Sequence, residues 1–139
     1  MFTEDKMMKY YRLLAKDLTS LIEEAGQASQ KGGLEICGLL ADNGYFIELI
    51  RCRNKSKRGG SFSFYQREVA VIERLIDILN HEIIGTFHSH PLAIAEPGDS
   101  DLENAFEEEF MLIIDVIGQK AALWHIKGKN KTKVDFELI

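Results

Sequence analysis

The chain is organised around the stretch EIIGTFHSHP, which occupies residues 82–91. Its apolar first part, residues 82–87, predicts a buried strand that leads directly into His88 and His90. Side chains two residues apart on a strand point to the same face, so both imidazoles can be directed at one point. Pro91 ends the strand because it has no N–H to donate to a ladder. On the His-x-His spacing alone, a pair of ordinary strand-end histidines is the preferred interpretation, so the choice depends on the rest of the chain.

Two acidic residues could complete a catalytic metal site with these histidines. Asp101 follows at the predicted start of a short helix, and two histidines with one carboxylate around an open position form a catalytic zinc arrangement. Glu35 stands within the otherwise apolar stretch 34–41, and a carboxylate near a metal-activated water is a suitable general base. Both acids also have simpler interpretations. Asp101 would interact favourably with the helix dipole, and Glu35 would face solvent at the start of a strand.

Length and composition predict one domain over residues 1–139, with residues 1–8 polar and loose. A net charge of −5 gives no indication of a nucleic-acid partner. Cys37 and Cys52 both lie in apolar runs, where a free cysteine behaves as a small hydrophobic residue. The sequence shows neither a signal peptide nor an apolar run of membrane-spanning length, so we expect a cytoplasmic protein without a membrane partner.

Basic residues concentrate in two clusters, at positions 51–58 and 127–133. The simplest interpretation is that they lie in solvated loops and turns. The alternative is that they form a docking surface for an acidic protein.

The succession of patterns predicts an α+β fold. Strands are predicted at 9–14, 34–41, 45–52, 61–65, 82–87, 110–117, 121–127 and 133–139, and helices at 16–28 and 67–80. A third, short helix is predicted near Ser100, because Ser100 and Glu103 match a capping box. We therefore expect a mixed, mostly antiparallel sheet, two main helices flanking it, and a short helix after the histidine loop.

Three further features have structural interpretations. The helix predicted at 67–80 has a broad apolar surface, which indicates firm packing against the sheet. The glutamates at 107–109 are typical of a solvated acidic face, and His81 and His125 are expected to be structural.

Together these residues resemble the JAMM, or MPN-plus, metalloprotease family, and specifically its compact prokaryotic members. The family signature is a glutamate in a strand, then His-Ser/Thr-His-Pro, then Ser-x-x-Asp. Here the glutamate matches Glu35 within EICGLL at 35–40, the histidines match HSHP at 88–91, and the aspartate matches Asp101. Four elements in the same order, with similar strands and helices over about residues 9–139, make the resemblance specific.

The resemblance implies a curved MPN/JAB sheet of cytidine-deaminase-like architecture and a role for each matched residue. His88, His90 and Asp101 would hold Zn²⁺, and Glu35 would act as general base and acid. The reaction would be hydrolysis of a peptide or isopeptide bond at the C-terminal tail of a ubiquitin-like or small sulfur-carrier protein. That tail would bind as an extended strand along a sheet edge. The partners would be ubiquitin-like or sulfur-carrier proteins and their conjugates. The resemblance leaves open whether the protein forms a homodimer.

The sequence departs from the family signature at Gly98, which occupies the position of the family serine. That serine is expected to stabilise the oxyanion, and losing one such donor typically costs about 10²–10³ in rate. The alternative hypothesis is therefore a weakly active or noncatalytic MPN-type domain, which binds a ubiquitin-like partner or scaffolds a complex.

Overall fold

The computed structural model describes residues 10–139, so the loose segment predicted for residues 1–8 lies outside the described residues. The described part contains strands β1 (Tyr11–Leu13), β2 (Cys37–Asp42), β3 (Ile47–Cys52), β4 (Glu82–His90), β5 (Glu108–Asp115), β6 (Lys120–Lys127), β7 (Asn130–Val134) and β8 (Phe136–Leu138). Its helices are α1 (Ala15–Ser29), α2 (Gln66–Ile78) and α3 (Asp99–Asn104). None of these helices is long and apolar enough to span a membrane.

Six strands form the main sheet in the order β3-β2-β4-β5-β6-β7. The β4–β5 pair is parallel, whereas the other neighbours in this sheet are antiparallel. Strands β1 and β8 form a separate parallel pair. The predicted α+β fold with a mixed, mostly antiparallel sheet and few helices is confirmed.

Strand β4 lies in the interior of the sheet, which explains why its residues 85–89 are buried. Phe87 belongs to the larger core, where α1 packs on one face of the sheet. A smaller cluster around Met111, Ile113 and Ile126 contacts Leu102 of α3. Because side chains alternate along a strand, Phe87 and His88 project to different faces. The histidine strand is therefore fixed by packing on both sides.

Helix α2 packs less firmly than its composition predicts. Ile76 is its one buried residue, whereas Val71, Leu75 and Ile78 are exposed by 59%, 54% and 70%. The apolar residues are divided between two faces of the helix, and only one of these faces meets the sheet. The expectation of firm packing across the whole apolar surface is wrong.

The strand predicted at 61–65 is also wrong, because these residues form no ladder. The Asn54 side chain instead donates to the Ser61 carbonyl and accepts from the Ser63 N–H. The alternation of Phe62 and Phe64, which suggested a strand, reflects an edge-to-face ring pair with centroids 5.7 Å apart.

Gly38 allows strands β2 and β3 to approach the Phe87 ring closely. A Cβ added at Gly38 would lie 2.1 Å from the Ile50 carbonyl oxygen and 2.2 Å from a Phe87 ring carbon. We expect Gly38→Ala to lower the free energy of unfolding by about 1–3 kcal/mol, the usual cost of overpacking. Urea unfolding measures this change.

Gly26 provides the matched control for that prediction. It lies inside α1, and an added Cβ would meet no atom within 4 Å. Gly26→Ala should raise the free energy of unfolding by about 0.5–1 kcal/mol, because alanine loses less backbone freedom in a helix. A Gly38→Ala protein as stable as the Gly26→Ala protein would contradict the packing argument.

Candidate metal centre

Strand β4 brings the two histidines to one point, as the i, i+2 spacing predicts. His88 is fully buried, and His90 ends the strand with its side chain 12% exposed. The Nε2 atoms of the two rings lie 3.1 Å apart. Both imidazoles therefore present Nε2 to the same small volume at the end of the sheet.

Asp101 reaches this volume from the first turn of α3. Its Oδ1 lies 3.1 Å from His88 Nε2, and its Oδ2 lies 3.1 Å from His90 Nε2. The Gly98 N–H also donates to Oδ2 at 2.9 Å. Asp101 thus stabilises the helix start and faces the histidines at once, so its two interpretations are compatible. The capping box predicted from Ser100 is wrong, because the helix begins at Asp99 with Gly98 as its N-cap residue.

The charges of the three residues depend on their mutual contacts. Burial lowers the pKa of His88, which favours its neutral form. Burial alone would also lower the pKa of His90, but the hydrogen bond with Asp101 raises it above its ordinary value. Burial would raise the pKa of Asp101, yet its hydrogen bonds with both histidines hold that pKa well below the usual range. An ionised carboxylate therefore lies against two imidazoles.

The surroundings orient each imidazole differently. His90 Nδ1 lies 2.8 Å from the Ile94 carbonyl oxygen, and donation to this oxygen leaves the Nε2 lone pair directed at the site. Within residues 10–139, the buried His88 Nδ1 has no hydrogen-bond partner. The His88 ring is instead stacked on Phe62, with centroids 4.6 Å apart and planes inclined by 20°. Sequence reasoning missed Phe62, because its pattern was interpreted as a strand.

The donor set and its spacing fit a zinc ion. His88, His90 and Asp101 each offer a ligand atom, and these atoms all lie within 4.8 Å of one another. Tetrahedral zinc with ligands at about 2.0–2.1 Å has ligand–ligand edges of about 3.3 Å. The two Nε2 atoms are 3.1 Å apart, close to that edge, and each lies 3.1 Å from one Asp101 oxygen, Oδ1 for His88 and Oδ2 for His90. Two nitrogens and one carboxylate oxygen would also leave a fourth position open, as in catalytic zinc sites.

Glu35 lies beside this group, although it does not belong to a strand. Strand β2 begins only at Cys37, so the prediction of a strand glutamate is wrong. Hydrogen bonds in both directions between Ile36 and Ser89 hold the segment against β4. Glu35 is 7% exposed, which excludes the solvent-facing alternative. Burial raises the pKa of Glu35 to about 7, while the nearby His90 lowers it and Asp101 raises it.

Comparison with known proteins identifies the family. The family model for prokaryotic homologues of the JAB domain, Prok-JAB, matches residues 19–127. The chain belongs to the Prok-JAB family. The predicted relationship to JAMM/MPN proteins of prokaryotic type is thereby confirmed. Among curated proteins, none matches the chain.

Solved structures share the fold of this Prok-JAB domain. The solution structure of protein DSY2949 from Desulfitobacterium hafniense has a TM-score of 0.75 and 25% identity, covering 92% of this chain and 91% of that one. AF2198, a JAB1/MPN domain protein from Archaeoglobus fulgidus, has a TM-score of 0.61 and 19% identity over 94% and 99%. A structure described as JAMM, a metalloprotease-like zinc site in the proteasome and signalosome, has a TM-score of 0.57 and 16% identity, again over 94% and 99%.

The buried carboxyl of Glu35 should make the stability of the metal-free Prok-JAB domain depend on pH. Its pKa of about 7 in the folded protein exceeds the ordinary value of 4.5, so the folded protein binds more protons between these values than the unfolded chain. Stability therefore falls as the pH rises through this window. Glu35→Gln removes the ionising group, so the Tm advantage of the variant over wild type should grow from pH 5 to pH 8. Thermal unfolding in the presence of a chelator measures this Tm difference. An equal difference at both pH values would contradict the assignment of the raised pKa to Glu35.

Glu109 overturns the prediction of a solvated acidic face. It is 5% exposed, accepts hydrogen bonds from Thr86 Oγ1 at 3.1 Å and from the Phe106 N–H at 3.2 Å, and has a pKa that burial raises. Its neighbour Glu108 is exposed and lies 3.0 Å from His125 Nε2. Glu109 therefore anchors the chain just after α3.

The two cysteines and the other two histidines, His81 and His125, lie outside the metal group. Cys37 and Cys52 are buried and free, as expected for small hydrophobic residues. Burial raises the pKa of the Cys37 thiol to about 12 and that of Cys52 to about 11, so neither is a ready nucleophile. His81 Nδ1 lies 3.5 Å from a Glu48 carboxylate oxygen, far along β4 from the site.

The first basic cluster borders a pocket of about 570 Å³ at the edge strand β3. Arg51 and Arg53 lie 3.5 and 3.3 Å from Glu24 and Glu68, so their charges are partly balanced. In the second cluster, Lys131 lies 2.9 Å from Glu96. Docking of an acidic protein on either cluster stays a prediction.

Proposed function

We propose that this Prok-JAB domain is a zinc-dependent peptidase or isopeptidase, acting at the C-terminal tail of a ubiquitin-like or small sulfur-carrier protein. The observation that carries the proposal is the convergence of His88, His90 and Asp101 beside the buried Glu35. A general base next to an open metal position is the arrangement that hydrolysis of an amide bond needs.

His88, His90 and Asp101 would hold the metal through Nε2, Nε2 and a carboxylate oxygen. When bound, zinc would supply Lewis acidity toward a water molecule and toward the substrate carbonyl. The depressed pKa of Asp101 keeps its carboxylate ionised, and burial keeps His88 neutral, which are the ligand forms of these side chains. With His90 also in the neutral form that ligation requires, the three residues would contribute one negative charge to the site.

Glu35 would carry the proton through the reaction. Its carboxylate accepts a proton from the attacking water as the new carbon–oxygen bond forms. The same proton then passes to the leaving nitrogen as the carbon–nitrogen bond breaks, which regenerates the carboxylate. A pKa raised to about 7 by burial suits both steps near neutral pH.

Gly98 limits what the site can offer to a developing oxyanion. Its N–H already donates to Asp101 Oδ2 at 2.9 Å, so this amide is not free to replace the family serine. An added Cβ would have Asp101 Oδ2 as its nearest atom at 3.8 Å, and the backbone at φ −86° and ψ 175° accommodates any residue. Serine therefore fits at this position.

Gly98→Ser should raise kcat by about 10- to 100-fold, because it restores one oxyanion donor. Gly98→Ala is the matched control, since it adds the same Cβ without the hydroxyl and should leave kcat unchanged. Steady-state hydrolysis by the three proteins measures the effect. Equal kcat values for the serine and alanine variants would show that the missing hydroxyl does not limit turnover.

The second candidate is a noncatalytic MPN-type domain that binds a ubiquitin-like partner or scaffolds a complex. The engaged amide of Gly98 and the missing serine favour it. A noncatalytic domain would bind its partner without hydrolysing it, whereas an enzyme must also admit water and release its product.

A fusion of a ubiquitin-like protein to a short C-terminal peptide separates the two candidates. The enzyme should release the peptide when loaded with zinc and should stop when a chelator is added. Tight binding of the fusion without release, in zinc and in chelator alike, would support the binding domain.

A further inference from the structure

The Asn54 side chain uses its full hydrogen-bonding capacity. Its Nδ2 donates to the Glu35 carbonyl at 3.0 Å and to the Ser61 carbonyl at 3.1 Å. Its Oδ1 accepts from the Ser56 N–H at 2.9 Å and from the Ser63 N–H at 3.1 Å. An amide has two N–H donors and two acceptor lone pairs, so none of them is left over. Such complete pairing fixes the side chain between the two segments that it joins.

One of these segments carries the proposed base. Glu35 lies between Gly33, whose φ of 74° marks a turn, and Cys37, where the ladder of β2 begins. The residue therefore lacks the support of a strand. The bond from Asn54 Nδ2 restrains its backbone from the side opposite to the Ile36–Ser89 contacts.

The other segment returns to the metal group. Ser61 and Ser63, which Asn54 holds, flank Phe62, and the Phe62 ring is stacked on the His88 ring at 4.6 Å. The Lys55 N–H also donates to the Ser63 carbonyl at 2.9 Å, which closes the loop. Asn54 thus connects the segment of the base to the segment that covers a metal ligand.

From these contacts we propose that Asn54 is a positioning residue. It sets Glu35 relative to the metal group through its bond to the Glu35 carbonyl and through its bonds to the loop of residues 61–63, which carries Phe62. The proposal rests on the proposed hydrolytic function, because the position of Glu35 matters only if Glu35 transfers a proton. Misplacement of a reacting group by about 1 Å can cost as much as 10² in rate. The four hydrogen bonds of the Asn54 side chain all go to backbone groups, which is why we assign it a positioning role and not a catalytic one.

The test compares Asn54→Ala with Asn43→Ala in the zinc-loaded enzyme. Asn43 is a matched control, because its side chain also ties a turn, accepting from the Tyr45 and Phe46 N–H groups at the far end of the β2–β3 hairpin. Asn54→Ala should lower kcat by about 10- to 100-fold while KM and zinc affinity stay within about threefold. Asn43→Ala should leave kcat within about twofold, even if both variants lose similar stability. An unchanged kcat in Asn54→Ala, or loss of zinc together with activity, would overturn the proposal.

Crystal structures of the metal-free wild type and Asn54→Ala give a readout that does not depend on turnover. We expect the Glu35 carboxylate to move by about 1 Å or more relative to His88, while the His88–His90 spacing stays unchanged. If the wild type hydrolyses nothing, the proposed function fails, and these structures still decide whether Asn54 positions Glu35. If Asn54→Ala does not fold, Asn54→Ser serves for both measurements, because it shortens the side chain but keeps a polar group. An unmoved Glu35 in either variant would contradict the proposal.

Discussion

Replacing Glu35 with glutamine is expected to leave the metal in place and to lower kcat by about 10²–10⁴-fold, the usual contribution of a general base. Glutamine keeps the size and polarity of the side chain but cannot accept a proton. Because Glu35 does not belong to the metal group formed by His88, His90 and Asp101, zinc content should stay near one per chain. Initial rates on the ubiquitin-like fusion, together with metal analysis of the same sample, measure both quantities.

Glu109→Gln is the matched control for this experiment. Glu109 is as buried as Glu35, and burial raises its pKa as well, but it is bonded to Thr86 and Phe106 instead of facing the metal group. We expect the kcat of the folded Glu109→Gln protein to stay within about threefold of wild type, even if the protein is less stable. If Glu35→Gln turned over as fast as Glu109→Gln, Glu35 would not be the base.

Asp101→Ala is expected to remove zinc binding, lowering the affinity by more than about 100-fold. Changes to groups that only support a metal ligand cost about 10–100-fold, and the loss of a ligand should exceed this range. The change also removes the single negative charge of the ligand set and leaves two imidazoles 3.1 Å apart without a counterion. Competition with a fluorescent zinc chelator measures the affinity.

Asp99→Ala controls for the general effect of removing an acid from the first turn of α3. Asp99 lies in the same turn as Asp101, but it is exposed and does not belong to the metal group. The Asp99→Ala protein should bind zinc as tightly as wild type. Similar losses in both variants would mean that helix stability, and not ligation, controls the affinity.

The histidine pair and Asp101 could be placed from sequence because the rules that govern them are local. Strand alternation directs His88 and His90 to one face, and an acid in a first helical turn has few directions to point. The burial of strand β4 follows equally from its apolar residues. Glu35 stands out as the acid within an otherwise apolar stretch, and the family signature supports its choice. The structure shows that it is buried, although it lies before the strand.

The errors arise where distant parts of the chain determine local structure. Residues 61–65 have an alternating pattern, but the side chain of Asn54 occupies the groups that a ladder would use. The apolar residues of α2 are more numerous than the sheet can cover. Periodicity therefore predicts the burial of several of them, whereas Ile76 is the one that is buried. Glu109 is buried because Thr86 and Phe106 supply hydrogen bonds to its carboxylate. The contact of Asn54 with Glu35 spans 19 residues and leaves no local signal in the sequence.

Anomalous X-ray scattering at the zinc absorption edge, from crystals grown with one equivalent of zinc, tests the central claim most directly. We expect a single strong peak about 2.0–2.2 Å from His88 Nε2, His90 Nε2 and an Asp101 carboxylate oxygen, with the Glu35 carboxylate facing the open side of the ion. No peak at these three residues, or a peak bound by other side chains, would contradict it.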